Sequence, residues 1–553
     1  MTTALSPQAV PAQAVVLPKN RGTYYGGAWH APKSGRFVDT LNPGTGLSLG
    51  KVADSGPEDI DAAVAAAKAA FKEWRHVLPL ERAKILRRIA QILRENANEL
   101  AMIDAADCGN PVREMVSDAM VAAAQMEFFA SFVTEMKGAS IPMGPDVVNF
   151  SVREPLGVVG RIIPFNHPLM FCAGKSAAPL AAGNTVVVKP PEQAPLSSLR
   201  LAELIDGLLP PGAFNVVPGG RDAGQRLASH PAVAMIALIG SVPTGRAVMK
   251  AAADTVKRAM LELGGKNALI AYADADPDEV AGAVIGGMNF TWCGQSCGST
   301  SRAFIHETIH DAVLERIKAK ISNFKPGIPT DPTTTMGAII SKTQFDRVMS
   351  CIATAKQEGA RVIAGGGTPS DPLLARGFYV EPTVFANVSM SMRIAREEIF
   401  GPVLGVFKWN NEAKMLAEVN QVEYGLTASI WTNDLSTAHR TAMAVEAGFV
   451  WINEVGKHFL GAPFGGFKQS GLGREECFEE MLSFTQEKNI HVRLKPAKAK
   501  EPSGNSDLDG DLVRRGQLFD HLVTFAPSAM PVNATIVRAC KSRKCRDGTR
   551  PQR

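Results

Sequence analysis

Between about residues 154 and 276, short apolar runs rich in β-branched residues alternate with stretches of helical amphipathicity. Segment 158–163 predicts a strand, 169–182 a helix, 185–188 a second strand and 196–209 a second helix. Further strands are expected at 214–217 and 234–239, each followed by a helical segment. Segment 278–290 predicts a helix that ends just before a Gly- and Ser-rich loop around Cys297, and a second series of strands and helices runs from 302 to about 450. Strands alternating with helices indicate parallel, doubly wound sheets covered on both faces. The pattern therefore predicts an α/β protein with two such lobes and a cleft between them, and ligands in such sheets bind at the carboxyl ends of the strands. No internal repeat is visible. Residues 496–512 read as a linker, and the tail beyond has little periodicity.

Length and composition agree with this pattern. A chain of 553 residues is too long for one small core, and 45% hydrophobic with 20% charged residues is ordinary for a globular protein. The net charge of +5 is unevenly placed: residues 538–553 carry +6, which leaves the rest at about −1. A near-neutral body gives no reason to expect nucleic acid as a partner. Apolar runs such as 232–240 are too short to span a membrane, and residues 1–20 lack the pattern of a secretory signal. Eight irregularly spaced cysteines argue against a disulfide scaffold, so a reducing, cytoplasmic location is expected.

Three segments carry candidate chemistry. Cys297 lies in Cys293-Gly294-Gln295-Ser296-Cys297-Gly298-Ser299, where the glycines permit close backbone approach. A free thiol is only slightly ionised at neutral pH, and on local grounds Cys297 could equally be a small buried hydrophobe. Glu262 stands among Met260, Leu261 and Leu263; a desolvated carboxylate has a raised pKa and makes a general base near neutrality, the alternative being a strand-end ion pair. Asn166, in Pro164-Phe165-Asn166-His167-Pro168, follows an apolar strand. Its amide could donate to an oxyanion or simply form a turn.

A phosphate-binding signal is present without a Gly-x-Gly-x-x-Gly fingerprint. Gly240-Ser241-Val242-Pro243-Thr244-Gly245 joins a strand to a helix whose N-terminus could hold a pyrophosphate. Lys189-Pro190-Pro191-Glu192 places a cation and an anion at the carboxyl end of another strand, where an adenosine ribose could lie. His306-Glu307-Thr308-Ile309-His310 matches a zinc pattern that needs both histidines on one helical face. Here 303–305 reads as a strand, Thr308 and Asp311 resemble an N-cap and its third helical position, and no third ligand is indicated. No metal is expected.

Together these motifs resemble the aldehyde dehydrogenase superfamily over roughly residues 20–494. Glu262-Leu263-Gly264-Gly265-Lys266 resembles its glutamate signature, and Gly294 through Arg302 its cysteine signature. Pro164-Phe165-Asn166, Lys189 to Glu192, Gly240-Ser241, Glu397 to Pro402 and Pro463 to Gly466 also correspond, in register. The resemblance implies that Cys297 is the nucleophile, that Asn166 and the Cys297 N–H form an oxyanion hole, and that Glu262 activates water to hydrolyse a thioester. It further implies NAD as cofactor, held by Phe165, Lys189, Glu192, Gly240, Ser241, Gly264, Glu398 and Phe400, with Glu192 repelling the 2′-phosphate of NADP. By alignment the aldehyde tunnel involves His167, Gly174, Ser296, Gly298, His458, Phe459 and Phe464. Glycine at 174, where several relatives carry a bulky aromatic, is expected to widen it. Trp292, Ile239 and Val242-Pro243 depart from common family residues.

The implied aldehyde dehydrogenase fold has a Rossmann-like NAD-binding lobe (21–137 and 156–263), a catalytic lobe (264–477) and a small β oligomerisation arm (138–155 and 478–495). An N-terminal extension over 1–20 and a basic, disordered tail over 496–553 lie at its ends. The expected protein is a homodimer or homotetramer with no nucleic-acid or membrane partner, oxidising a bulky, apolar or aromatic small-molecule aldehyde. A betaine-aldehyde or aminoaldehyde dehydrogenase is the alternative within the family. A catalytically silent structural or binding member is the alternative outside that chemistry.

Overall fold

A computed structural model of the chain describes residues 15–494. Most of the expected N-terminal extension, and the whole basic tail with Cys540 and Cys545, lie outside the described residues.

Two large sheets organise the molecule. In the first, five parallel strands run in the order Phe214–Val216, Thr185–Lys189, Val158–Ile162, Val233–Ile239 and Arg258–Glu262. The central strands are buried on both faces, which is why they read as continuous apolar runs rather than alternating ones. The sheet is not wholly parallel: a hairpin of Thr23–Tyr25 and Ala28–His30 pairs antiparallel along one edge, and Gly471–Leu472 returns to pair antiparallel with Arg258–Glu262 at the other. Strand order reverses between Val158–Ile162 and Val233–Ile239, so a crevice opens beyond their carboxyl ends. Asn166 and Gly240 lie there, on the loops that leave these two strands.

The second sheet runs in the order Arg361–Ala364, Thr383–Ala386, Val403–Trp409, Arg302–His306, Ala268–Ala271, Thr427–Trp431 and Phe449–Ile452, all parallel except the first. Chain direction links the sheets. Glu262 ends the last parallel strand of the first sheet, and after only five intervening residues Ala268 begins a central strand of the second. The cleft is therefore bounded by carboxyl ends on one side and amino ends on the other.

A third, antiparallel sheet joins Thr485–Arg493, Val147–Pro155 and Ser140–Ile141. The long helices Pro79–Glu95, Val112–Ser131 and Pro168–Ala181 pack together over the first sheet in a continuous apolar core.

Individual elements depart from the sequence pattern for local reasons. The helix expected over 196–209 ends at Leu204, before a turn in which Gly207 takes φ +76°. The helix before Cys297 is Pro277–Gly287, and Asn289 at φ +56° breaks it ahead of a short 3₁₀ turn, Phe290–Trp292. His306, not Thr308, caps Glu307–Lys320, its Nδ1 accepting the Thr308 N–H at 3.4 Å. Thr308 therefore lies inside the helix, while His306 precedes it as the pattern suggested.

Candidate active site

The thiol of Cys297 sits on a loop tied to the segment that leaves Glu262. Asn267 Nδ2 donates to the Cys297 carbonyl at 2.7 Å and to the Ser299 carbonyl at 3.0 Å. The Cys297 carbonyl packs so closely on Gly265 that a Cβ there would come within 2.5 Å of it. Gln295 anchors the loop from the other side by accepting the Ile340 N–H at 3.1 Å, and Thr427 Oγ1 donates to the Gly298 carbonyl at 3.3 Å. Cys297 retains partial access while Cys293 is buried. Burial, with the nearby carboxylates of Glu262 and Glu398, pushes the Cys297 thiol up to about 12. Burial and both carboxylates disfavour the anion, so Cys297 rests as a thiol.

Glu262 is buried, and neither carboxylate oxygen has a hydrogen-bond partner. Desolvation first, then the negative charge of Glu475, raises its pKa well above the ordinary range, against the pull of Lys175. Its carboxylate lies against a glycine wall: a Cβ at Gly465 would come within 2.9 Å of Oε1. Behind it lies a buried ion cluster. Glu475 takes Arg161 Nη1 at 3.0 Å and Lys175 Nζ at 2.9 Å; Lys175 also reaches Glu476 at 3.6 Å, and Arg161 reaches Glu480 at 3.4 Å. Burial pushes Glu475 up, yet Lys175 and Arg161 together hold it below its ordinary value. A cluster of two cations and three carboxyl groups thus stands behind an unpaired carboxyl.

Asn166 is buried at the carboxyl end of Val158–Ile162, just before the helix Pro168–Ala181. Its backbone carbonyl accepts from Asn110 Nδ2 at 2.8 Å, while its own side-chain oxygen has no partner. Next to it, His167 Nδ1 pairs with Asp118 at 2.7 Å, and its ring lies 5.7 Å from that of Trp292 and 5.4 Å from that of Phe171.

Of the residues expected to hold a dinucleotide, all but Glu398 and Phe400 lie at or just beyond the carboxyl ends of strands of the first sheet. Ser241 caps the helix Val242–Ala253, accepting the Thr244 N–H, with Pro243 in the first turn where a missing N–H costs nothing. Lys189 ends its strand largely buried, and desolvation lowers it to about 8 against the charge of Glu192. Glu398 accepts the Gly265 N–H at 3.0 Å, burial raises its carboxyl to about 7, and an added Cβ at Gly264 would overlap its Oε2. Phe400 adopts φ +55° and meets Phe165 edge-on at 5.7 Å. Gln344 holds that turn by donating to the Ile399 and Phe400 carbonyls, both at 2.9 Å, and Arg347 donates to the Glu398 carbonyl at 2.6 Å. The donor set suits a group carrying riboses and a pyrophosphate: a cation with an acceptor, a helix N-terminus, and a second carboxylate beside a side-chain-free glycine.

The expected tunnel residues separate into wall and surface. His458 meets Phe464 in a tilted ring contact at 4.6 Å and pairs with Glu476 at 3.1 Å, and Phe464 is buried. Ser296 and Gly298 flank the thiol. Phe459 is 55% exposed. Gly174 does not open space as expected. The Gln125 side chain fills it, and an added Cβ would overlap the Gln125 carbonyl oxygen. Sequence reasoning missed Asn110, Asn267, Gln344, Arg347, Lys175 and Glu475. Asn267, next to the Glu262–Lys266 motif, and Lys175, next to Gly174, had neighbours that could have pointed to them.

Comparison with known proteins agrees with the fold. The chain belongs to the aldehyde dehydrogenase family, whose model matches residues 29–490. It is 48% identical to aldehyde dehydrogenase tropH of Talaromyces stipitatus over 510 residues, covering 91% of this chain and 97% of tropH. Among solved structures, it is similar to an aldehyde dehydrogenase from Bacillus cereus in complex with NAD+ (36% identity, TM-score 0.83, covering 86% of this chain and 97% of that one). It is also similar to a mutant of P. syringae AldA, an indole-3-acetaldehyde dehydrogenase, in complex with NAD+ and IAA (35% identity, TM-score 0.84, covering 87% and 98%). The architecture is thus the aldehyde dehydrogenase fold. Among the described residues no helix is long and apolar enough to cross a membrane.

Proposed function

We propose that the protein oxidises an aldehyde to a carboxylic acid with NAD as the oxidant, using Cys297 as nucleophile. The observation that carries this reading is the joining of two motifs some thirty residues apart. Asn267, on the segment leaving Glu262, holds the backbone of Cys297, so thiol and unpaired carboxyl act electrostatically on one another. The Cys297 thiol gives up its proton to solvent as its sulfur adds to the aldehyde carbon. Asn166 and the Cys297 N–H stabilise the oxyanion that forms, an effect worth about 10²–10³ in rate per donor. NAD, when bound, takes up the hydride that leaves this carbon. Glu262 then accepts a proton from water as the water's oxygen attacks the thioester, releasing the acid and restoring the thiol.

Lys189 and Glu192 are read as the adenosine-ribose contacts, Gly240 and Ser241 as the pyrophosphate contacts, and Glu398 with Phe400 as the nicotinamide-side contacts. Glu192 supports NAD over NADP by charge repulsion. Phe171, Trp292, His458 and Phe464 support a bulky aromatic aldehyde. The lobes are read as 21–137 with 156–263 for the cofactor and 264–477 for catalysis. The three-stranded sheet supports an arm over 138–155 and 478–495 that pairs subunits in a cytoplasmic dimer or tetramer, because an open strand edge is a ready pairing surface.

NADH formation across a panel of aliphatic, aromatic and cationic aldehydes tests the reading, with Cys297→Ala as control. Aromatic aldehydes are expected to give the highest kcat/KM, and Cys297→Ala to abolish turnover. Undiminished activity in the variant overturns the mechanism, and preference for a cationic aldehyde overturns the substrate class.

A further inference from the structure

Two helix stripes face each other beside the proposed aldehyde site. Asp118, Ala122 and Gln125, at helical spacing on Val112–Ser131, oppose His167, Phe171 and Gly174 at the start of and along Pro168–Ala181. Asp118 and His167 close one end at 2.7 Å, beside Trp292 and hence the Cys297 loop. At the other end Gln125 lies over Gly174, where an added Cβ would also come within 3.5 Å of Ala122 Cα. Just beyond, Phe128 lies near Gly461, on the loop that carries His458 and Phe464.

Gln125 is out of place in such a stripe. It is 2% exposed, and its side-chain carbonyl oxygen has no hydrogen-bond partner. A buried acceptor left unpaired is destabilising, so a donor that reaches it gains more than one bonding an exposed group. Gly174 is the only kind of residue that would admit this amide, because any side chain there would displace it. Seven residues of helix separate His167 from Gly174, or about 10 Å, so the acceptor stands far from the carbon that Cys297 attacks.

We propose that Gln125 is a specificity-determining residue whose amide carbonyl accepts a hydrogen bond from the far end of the aldehyde. The preferred substrate is then an extended aromatic aldehyde with a hydrogen-bond donor on its distal ring. This rests on the reading of the site as an aldehyde channel and sharpens it: the channel is aromatic along its walls and polar at one point.

The test compares kcat/KM for a naphthaldehyde carrying a hydroxyl on the far ring with that for its unsubstituted parent, followed by NADH formation. Wild type is expected to favour the hydroxylated member about 10-fold or more. Gln125→Met, which keeps the volume and loses the acceptor, is expected to bring that ratio close to one. Gly174→Ala, acting from the opposite helix, should lower it in the same direction. A wild-type ratio near one, or a ratio unchanged in a folded variant, overturns the role of Gln125. Turnover of the parent by wild type in the same assay separates that failure from failure of the aldehyde reading, which would show as no turnover of either compound.

Discussion

At the residue scale the site works by withholding partners. Glu262 has no hydrogen-bond donor and faces the charge of Glu475, so it holds its proton through the range in which ordinary carboxylates have lost theirs. Base catalysis needs the ionised form. Thioester hydrolysis should therefore rise with pH as Glu262 ionises, and Glu262→Gln should lose that rising limb along with about 10²–10⁴ of the hydrolysis rate. Stopped-flow NADH traces at several pH values check this: a variant with an unchanged pH profile would remove Glu262 from the role of base. Asn166→Ala, by contrast, should lower kcat/KM by about 10²–10³ without moving the profile, because its amide does not titrate.

At the scale of elements, short connections between the sheets set the geometry, and two glycines make them possible. Gly264 leaves room for Glu398, so Gly264→Ala should push that carboxylate aside and weaken NAD binding by about 10-fold, or 1.4 kcal/mol. Titration calorimetry should show the loss while Cys297 keeps its reactivity toward a thiol reagent. The ion cluster is the other element-scale device, since it ties the helix Pro168–Ala181 and the strand Val158–Ile162 to the segment 475–480. Glu475→Ala leaves buried Arg161 and Lys175 with only their longer carboxylate contacts, to Glu480 and Glu476, which costs about 3 kcal/mol. An unfolding transition at clearly lower temperature is the expected reading.

At the scale of the whole molecule, the lobes were legible because their strands are buried on both faces and announce themselves as apolar runs. The antiparallel edges were not legible. Residues 23–30 and 471–472 are short segments whose place at the sheet edges depends on partners far away in the sequence, Tyr24 on Val216 and Leu472 on Leu261. The site divides in the same manner. Cys297, Glu262 and Asn166 stand in compact motifs, whereas Asn267, Gln344 and Lys175 act through contacts that only the fold creates. Gly174 shows the risk in reading one residue alone: its missing side chain suggested open space, but the neighbouring helix supplies Gln125 to fill it.

The central claim is that an acyl group passes through Cys297 and leaves with the help of Glu262. Mass spectrometry of the Glu262→Gln variant, quenched after mixing with NAD and an aromatic aldehyde, tests this most directly. The expected result is about one NADH per subunit in a burst, with the acyl mass retained on the peptide containing Cys297. No adduct, or an adduct on another residue such as Cys293, would contradict it.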